Sequence, residues 1–250
     1  MTVLTTLPTL AFAEARLLTR EWAAMVFAFV FPPLMMVVLA GVFGSERDPE
    51  FGGVSGTEYY VAAYLGVPLG ALSLVGLPVM LASYRERGVL RRFEAFGVPT
   101  LAVVAAQAVV TAALVVLGAA LVLAVAAPVY GIPTVQDPWG VAAGFAGGAV
   151  TMITLGVALG LAAPTARAAQ ALGLLVFMPM WLLGGGGPPR AVMTSAMQSV
   201  TDVMPLWHTT AGIREPWLGI GDGGAHLLPL AAWFAFGVVA VVVLVRRRDT

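Results

Sequence analysis

Very few side chains in this sequence are suited to catalysis or to metal binding. The chain contains no cysteine, no lysine and no asparagine. It therefore has no thiolate nucleophile or thiolate metal ligand, and no phosphate-binding loop of the kind that needs a lysine. Its two histidines, His208 and His226, have only Asp202 and Asp222 as nearby acids in the sequence. We predict no catalytic residue and no metal site, and we interpret the two histidines as interfacial. A metal centre made of these four side chains is the alternative.

The composition indicates the solvent in which these side chains lie. Of 250 residues, 60% are hydrophobic and 10% are charged, and the mean hydropathy is +0.93. A soluble domain has roughly 25% charged residues and leaves about a quarter of its unfolded surface facing water. The composition thus excludes a soluble domain, a disulfide-linked scaffold and a basic nucleic-acid-binding protein. It predicts an all-α polytopic membrane protein with a single transmembrane domain over residues 1–250.

Six stretches are long and apolar enough to cross a membrane, since a spanning helix needs about 20 mostly apolar residues. The predicted spans run from about Trp22 to Phe43, Tyr59 to Ala82, Leu101 to Ala127, Trp139 to Ala163, Ala168 to Leu183 and His226 to Val245. Pro32 and Pro33 predict a kink in the first span, and glycines 184–187 are expected to break the fifth. An even number of spans places both termini on one side of the membrane.

Arginine is distributed unequally between the two sides that these spans define. The side of the termini carries Arg16, Arg20, Arg85, Arg87, Arg91, Arg92, Arg167, Arg246, Arg247 and Arg248. The other side carries Arg47, Arg190 and Arg214, together with most of the acidic residues. Because cytoplasmic loops of membrane proteins carry the excess of positive charge, both termini are predicted to be cytoplasmic.

Two amphipathic segments outside the spans are predicted to lie at the membrane surface. The first has an apolar face at helical spacing that consists of Leu4, Leu7, Ala11, Ala15 and Leu18. It predicts an interfacial helix before the first span, with a frayed tail as the alternative. The second, from Val192 to Met204, has one apolar face and is roughly 20 Å long, too short to span. It predicts a re-entrant or interfacial outer helix between spans 5 and 6 that ends at Pro205, with an ordinary loop as the alternative.

The predicted spans contain no ionisable side chain apart from His226 at an outer margin. Proton-coupled transporters use buried carboxylates or histidines, and cation channels use acidic rings. The sequence has neither pattern. If the protein moves a substrate against its gradient, the energy is therefore expected to enter through a cytoplasmic loop.

The loop between the second and third spans combines a short apolar face with charges of both signs. Its apolar face consists of Val89, Leu90, Phe93 and Phe96. Its charged residues are Arg85, Glu86, Arg87, Arg91, Arg92 and Glu94. Two phenylalanines among charges of both signs favour docking into a protein cleft, and an anchor on anionic lipid is the alternative.

The order of these features resembles the membrane subunit, or permease, of ABC-2 type ABC transporters. The loop is similar to that family's E-R-x-G-T-L-x-R-hydrophobic…P segment, here Glu86-Arg87-Gly88-Val89-Leu90-Arg91-Arg92-Phe93…Pro99. It departs from the pattern because Gly88 directly follows Arg87 and Val89 stands where threonine is usual. The outer segment is similar to a proline and glycine pattern of the family, here Pro179, residues 184–187, Pro188, Pro205-Leu206 and Arg214. Pro32-Pro33-Leu34-Met35 in the first span fits the same family.

The resemblance implies a transport subunit that is not itself an enzyme and needs two kinds of protein partner. One is a second copy or a close relative, and the other is a cytoplasmic ATPase subunit that carries ATP and Mg, so no cofactor is expected on this chain. The residues implied to contact the ATPase are Arg85, Glu86, Arg87, Gly88, Leu90, Arg91, Arg92, Phe93, Glu94 and Phe96.

The resemblance also implies a path for a hydrophobic or amphipathic, drug-like or lipid-like substrate between the second and fifth spans. The candidate residues on this path are Tyr59, Tyr60, Tyr64, Phe177, Met178, Met180 and Trp181. An aromatic belt combined with helix packing would account for the same residues. The resulting prediction is an exporter permease in a bacterial plasma membrane, in contact with lipid and not with nucleic acid. A secondary transporter or channel without an ATPase is the alternative.

Overall fold

A computed structural model describes residues 26–246, which form helices and connecting turns without a β-strand. The helices are α1 (Val26–Phe43), α2 (Gly56–Glu86), α3 (Val89–Ala95), α4 (Thr100–Val129), α5 (Pro138–Ala162), α6 (Ala166–Gly186), α7 (Ser195–Thr201), α8 (Pro205–Leu218) and α9 (Gly223–Arg246). Single 3₁₀ turns occur at Pro49–Phe51 and Arg190–Val192. The predicted amino-terminal interfacial helix lies outside the described residues.

Six of these helices are long and apolar enough to cross a membrane, which confirms the predicted number of spans. They are α1, α2, α4, α5, α6 and α9. The largest difference in bounds concerns α2, which begins at Gly56 and ends at Glu86 instead of Tyr59 and Ala82. The extra first turn forms because Ser55 and Glu58 cap it reciprocally: the Glu58 N–H donates to Ser55 Oγ, and the Ser55 N–H donates to Glu58 Oε2.

Successive spans run in opposite directions, so the bundle has two chemically different ends. One, called here the arginine end, carries Arg85, Arg87, Arg91, Arg92, Arg167 and Arg246. The other, called here the acidic end, carries Glu46, Asp48, Glu50, Glu58, Asp137, Asp202, Glu215 and Asp222 with Arg47, Arg190 and Arg214. The assignment of the arginine end to the cytoplasm stays a prediction.

Helix α2 occupies the centre of the bundle. Of its most apolar 18-residue stretch 94% is buried, whereas the corresponding value for α9 is 11%. Glycines on neighbouring helices allow this close packing: a Cβ on Gly156 of α5 would overlap the carbonyl oxygen of Ser73, and a Cβ on Gly173 of α6 would overlap that of Leu74. Because glycine has no side chain, the backbones of α5 and α6 can lie directly against that of α2.

The acidic-end half of α5 also uses glycines for close packing, here against α8. A Cβ on Gly144 would overlap the carbonyl oxygen of Gly212, and one on Gly148 would overlap the side chain of Thr209. Gly144, Gly148, Gly156 and Gly160 all make such contacts. They lie at multiples of four residues, a spacing that turns about 40° around a helix with each step, so they form a stripe that winds around α5.

The chain forms two helices after span 5, where the sequence predicted one from Val192 to Met204. The first, α7, lies within the predicted range but is shorter, and Thr194 caps its first turn; the second, α8, was not predicted. Pro205 begins α8 because a proline at the first helical position removes an N–H that has no partner there. Gly219 ends it with a positive φ of 67°.

Helix α8 is buried on nearly every side, with only Glu215 and Leu218 partly exposed. It lies between α5, the first turns of α2 and the glycine-rich end of α6. At its far end Trp217 donates from Nε1 to the carbonyl of Pro133, at 2.9 Å. The segment that follows span 5 thus adds a buried helix to the bundle rather than only a surface one.

Replacing Gly156 by alanine is expected to destabilise the bundle, because the new methyl group must push α5 away from the backbone of Ser73. The expected loss of unfolding free energy is about 1–3 kcal/mol. Gly147→Ala on the same helix is the matched control, since a Cβ there would meet only the ends of two leucine side chains, at 3.5 and 3.7 Å. Thermal unfolding of the purified chain in one detergent measures both. Equal melting temperatures for the two variants would contradict the close-packing explanation.

Candidate functional site

The predicted ATPase-coupling segment forms the helix α3 at the arginine end, between two glycine turns. Gly88 before the helix and Gly97 after it have φ values of 67° and 77°, a conformation that favours glycine. The departure from the family pattern at Gly88 therefore coincides with the turn that separates α3 from α2. Pro99 then precedes the first residue of α4.

One side of α3 packs against the bundle. Leu90 is buried in a cluster with Met80 and Tyr84 of α2 and Val103 of α4. Phe93 is partly buried against the same cluster. Of the two phenylalanines in the predicted apolar face, Phe93 is thus mainly an anchor for α3.

The two charged residues at the end of α2 bind the ends of other helices. Arg85 donates from Nη1 to the carbonyl oxygens of Gly160 and Leu161 in the last turn of α5, at 3.1 and 2.8 Å. A cation suits this position because the carbonyls at a helix carboxyl terminus carry partial negative charge. Glu86 accepts from the backbone N–H of Ala166 at the start of α6, at 3.0 Å. The start of the coupling segment is therefore tied to both α5 and α6.

The remaining residues of the segment form an exposed surface, defined here as the coupling surface. It consists of Arg87, Arg91, Arg92, Glu94 and Phe96. The Phe96 side chain is 85% exposed. The ten predicted residues thus divide into a set that holds the segment in place, namely Arg85, Glu86, Gly88, Leu90 and Phe93, and a set that faces outward.

The predicted substrate-path residues meet where α2 faces the acidic-end half of α6. Tyr60 donates its hydroxyl to the carbonyl of Gly187 at 2.9 Å, and Tyr64 donates to that of Gly186 at 2.7 Å. Residues 184–186 break the helical backbone, as predicted, because Gly184 and Gly185 are non-helical. The two tyrosines bind carbonyls that this break leaves without helical partners.

Only some of the substrate-path residues lie at the surface of the chain. Tyr59, Tyr60, Tyr64 and Phe177 are buried within it. Met178, Met180 and Trp181 on α6 are partly exposed, and the Trp181 ring lies 5.0 Å from that of Phe31 on α1. The buried four are contacts between helices of one chain, whereas the last three adjoin a surface that a second molecule could reach.

A polar cluster at the acidic end was not predicted as a site. His208 on α8 and His226 at the start of α9 lie with their Nδ1 atoms 3.0 Å apart, so one donates and the other accepts. His226 Nε2 is 3.2 Å from Glu215 Oε2, and His208 Nε2 is 2.8 Å from the carbonyl oxygen of Asp202. Hydropathy does not indicate this cluster, because α8 is shorter than a helix that spans a membrane. The sequence features that could have indicated the cluster are Arg214, His208 and the small residues of α8.

The aspartates of the alternative metal centre have other partners. Asp202 accepts two hydrogen bonds from Arg190, at 2.8 and 2.6 Å, and Asp222 accepts from the N–H of Gly224. Over residues 26–246 no group of three or more His, Cys, Asp or Glu side chains could hold a metal ion. The two histidines therefore come together without their predicted acidic ligands.

Electrostatics in the cluster keep His208 neutral and Glu215 charged. Burial lowers the pKa of His208 and outweighs the opposite influence of Asp202 and Glu215. Burial alone would raise the pKa of Glu215, but its hydrogen bond with His226 and the charge of Arg214 bring that pKa below its ordinary value. Both shifts have the same consequence for stability: the folded chain takes up protons less readily than the unfolded chain.

Acidification is therefore expected to destabilise the acidic end. His208 has an ordinary pKa of about 6.5, so the unfolding free energy should fall as the pH drops below that value, and Glu215 adds to the loss below about pH 4.5. The melting temperature of the purified chain, measured at about pH 7.5 and pH 5.5, tests this expectation. His208→Gln should reduce the difference between the two values. An unchanged difference in that variant would show that other groups cause it.

Comparison with known proteins covers most of the chain. A family model described as "ABC-2 type transporter" matches residues 6–216, from before the described residues to near the end of α8. No curated protein and no solved structure matches the chain. The matched range contains the coupling surface and the residues that α8 contributes to the polar cluster, but not His226. Since it spans far more than half of the sequence, the chain belongs to the ABC-2 type transporter family.

Proposed function

We propose that this chain is the permease subunit of an ATP-driven exporter whose ATPase is a separate cytoplasmic protein that binds ATP and Mg. Membership of the family supports a membrane subunit of a transporter. The observation that carries the finer proposal is the coupling surface, where an 85% exposed Phe96 stands among arginines at the arginine end. An aromatic ring surrounded by charges is typical of a residue that inserts into a partner's cleft.

Contacts beneath the coupling surface provide a route for mechanical force. Leu90 fixes α3 to α2 and α4, Arg85 fixes the end of α2 to α5, and Glu86 fixes it to α6. A displacement of α3 by the ATPase would therefore move four helices together. Rigid-body motion of packed helices is a common way to couple a distant chemical step to a transport path.

The distribution of charge favours an external energy source. In the six described spanning helices, Asp, Glu, Arg and His occur only within the first four or last two residues of a helix. A relay of protonatable groups through the membrane centre is thus not available in these helices. The proposal places the arginine end in the cytoplasm, in agreement with the positive-inside rule, and the chain in a bacterial plasma membrane.

The proposed substrate is hydrophobic or amphipathic, and its path runs between α6 and a second permease subunit. Met178, Met180 and Trp181 are the proposed contacts, because they are partly exposed and because methionine and aromatic side chains adapt to varied ligands. Tyr60 and Tyr64 bind carbonyls at the end of α6, and Phe177 is buried on α6 itself, so these three support the proposed wall from inside the chain. Tyr59 lies against Arg214 instead.

Phe96→Ala is expected to uncouple the permease from its ATPase without destabilising the bundle, since the ring is exposed. We expect affinity for the ATPase subunit to fall about tenfold or more. The measurement is affinity purification of the tagged full chain from its native membranes, followed by quantification of the co-purifying subunit with a Walker motif and of its ATPase activity.

Phe236→Ala is the matched control, because that ring is also exposed, at 60%, but lies on α9 away from the coupling surface. It should retain the ATPase subunit at the level of the original chain. Either the absence of any Walker-motif subunit from the preparation or equal retention by the Phe96 and Phe236 variants would contradict the proposed coupling.

A further inference from the structure

A cavity of about 370 Å³ opens at the acidic end, within the range of about 300–1,000 Å³ that is usual for small-molecule sites. Its walls combine aromatic and charged side chains, including Phe51, Tyr59, Trp207, Arg214, Glu215 and Glu50. It lies where α2 and α9 begin, and therefore at an end of the apolar helices, where the headgroups of a bilayer are located.

Arg214 is the most unusual residue of this cavity. Its side chain is only 3% exposed, and no hydrogen-bond acceptor among residues 26–246 reaches its Nε or Nη1. Its Nη2 is 3.9 Å from Glu215 Oε1, which is an ion pair but too long for a hydrogen bond. A buried guanidinium with unused donors is energetically costly, so an oxyanion that supplied acceptors would be bound favourably.

Aromatic rings hold the guanidinium in place. Its central carbon lies 4.2 Å from the ring centroid of Tyr59 and 5.1 Å from that of Trp207. Stacking of this kind stabilises the cation through the ring faces but leaves the N–H groups at its edges without acceptors. The two rings thus orient Arg214 without supplying hydrogen-bond acceptors to its N–H groups.

Arg190 on the same cavity provides a comparison within the molecule. Its guanidinium donates from Nε and Nη2 to the two carboxylate oxygens of Asp202, at 2.8 and 2.6 Å. Its charge is therefore neutralised in place, and it has no need of an external anion. The attraction for an anion is concentrated at Arg214.

Carboxylates on the same walls restrict what kind of anion fits. Glu50 is exposed and makes no side-chain ion pair within the described part of the chain, and Glu215 keeps its charge beside His226. They would repel a dianion but attract a cationic group attached to a monoanion. The aromatic walls also suit an ammonium group.

We propose that this cavity binds a phosphoethanolamine group, with its phosphate against Arg214 and its ammonium toward Glu50. The group could come from a phospholipid headgroup or from a soluble phosphoethanolamine compound. This site does not depend on the proposed coupling to an ATPase, since it lies at the opposite end of the bundle.

Two probes distinguish the sources, both used with the purified full chain and without ATP. The soluble phosphodiester glycerophosphoethanolamine, whose phosphate carries one negative charge, is added to the chain in detergent, and the melting temperature is compared with that in chloride at the same ionic strength. Retention of phosphatidylethanolamine and of phosphatidylglycerol after partial delipidation is compared by native mass spectrometry. Phosphatidylglycerol has the phosphate but no amine.

Substitutions test whether any binding that is measured takes place in the cavity. Arg214→Gln should abolish the thermal shift or the retention of phosphatidylethanolamine, and Arg214→Lys, which keeps the charge, should weaken either effect about tenfold. Arg47→Gln removes an exposed cation from the same end outside the cavity and should leave both unchanged. Glu50→Gln should reduce the preference for phosphatidylethanolamine over phosphatidylglycerol.

The outcomes separate clearly. A thermal shift with the soluble compound that depends on Arg214 supports a soluble ligand, and retention of phosphatidylethanolamine that depends on Arg214 supports a lipid headgroup. Absence of both effects in the unsubstituted chain would overturn the proposal even if the Arg214 variants fail to fold. Equal retention of phosphatidylethanolamine and phosphatidylglycerol would also overturn the proposal. So would a loss of binding in Arg47→Gln equal to that in Arg214→Gln.

Discussion

The structure depends above all on the absence of side chains along a stripe of glycines on α5. Gly144 and Gly148 let this helix touch the backbone and side chains of α8, and Gly156 and Gly160 let it touch α2. Within a membrane, helices gain little from leaving lipid, so close van der Waals contact between backbones is a main source of stability. The central helix and the buried helix at the acidic end are therefore both positioned against α5, each by a different pair of its glycines.

Hydropathy predicted the spanning helices well because lipid imposes a length and a composition on each of them. The same criterion could not find α8, since a helix of 14 residues that is surrounded by protein needs no such length. Pro205 was interpreted as the end of a helix, although proline is equally suited to the first turn of one. The glycine spacing in span 4 was visible in the sequence, but its partners could be identified only from the fold.

Composition and spacing predicted a short helix between the second and third spans, which the structure contains as α3, but they could not tell its buried residues from its exposed ones. Leu90 lies in α3 and Phe96 directly follows its last residue; both are apolar, yet Leu90 is buried while Phe96 is 85% exposed. The difference arises from the orientation that the turns at Gly88 and Gly97 impose on α3. For the aromatic residues of α2, the resemblance implied a substrate path and helix packing was the alternative; in the structure Tyr60 and Tyr64 bind the carbonyls of a broken helix end.

The central position of α2 gives the molecule a thermodynamic property of its own. Its last residues bind the ends of α5 and α6 at the arginine end, and Tyr59 near its first turn lies against Arg214 at the other end. If two arrangements of α2 exist, a ligand at one end and a ligand at the other that each bind one arrangement more tightly change each other's affinity by the same factor, because the total free energy does not depend on the order of binding. One buried helix thus has contacts at both ends of the bundle through which such reciprocity would act.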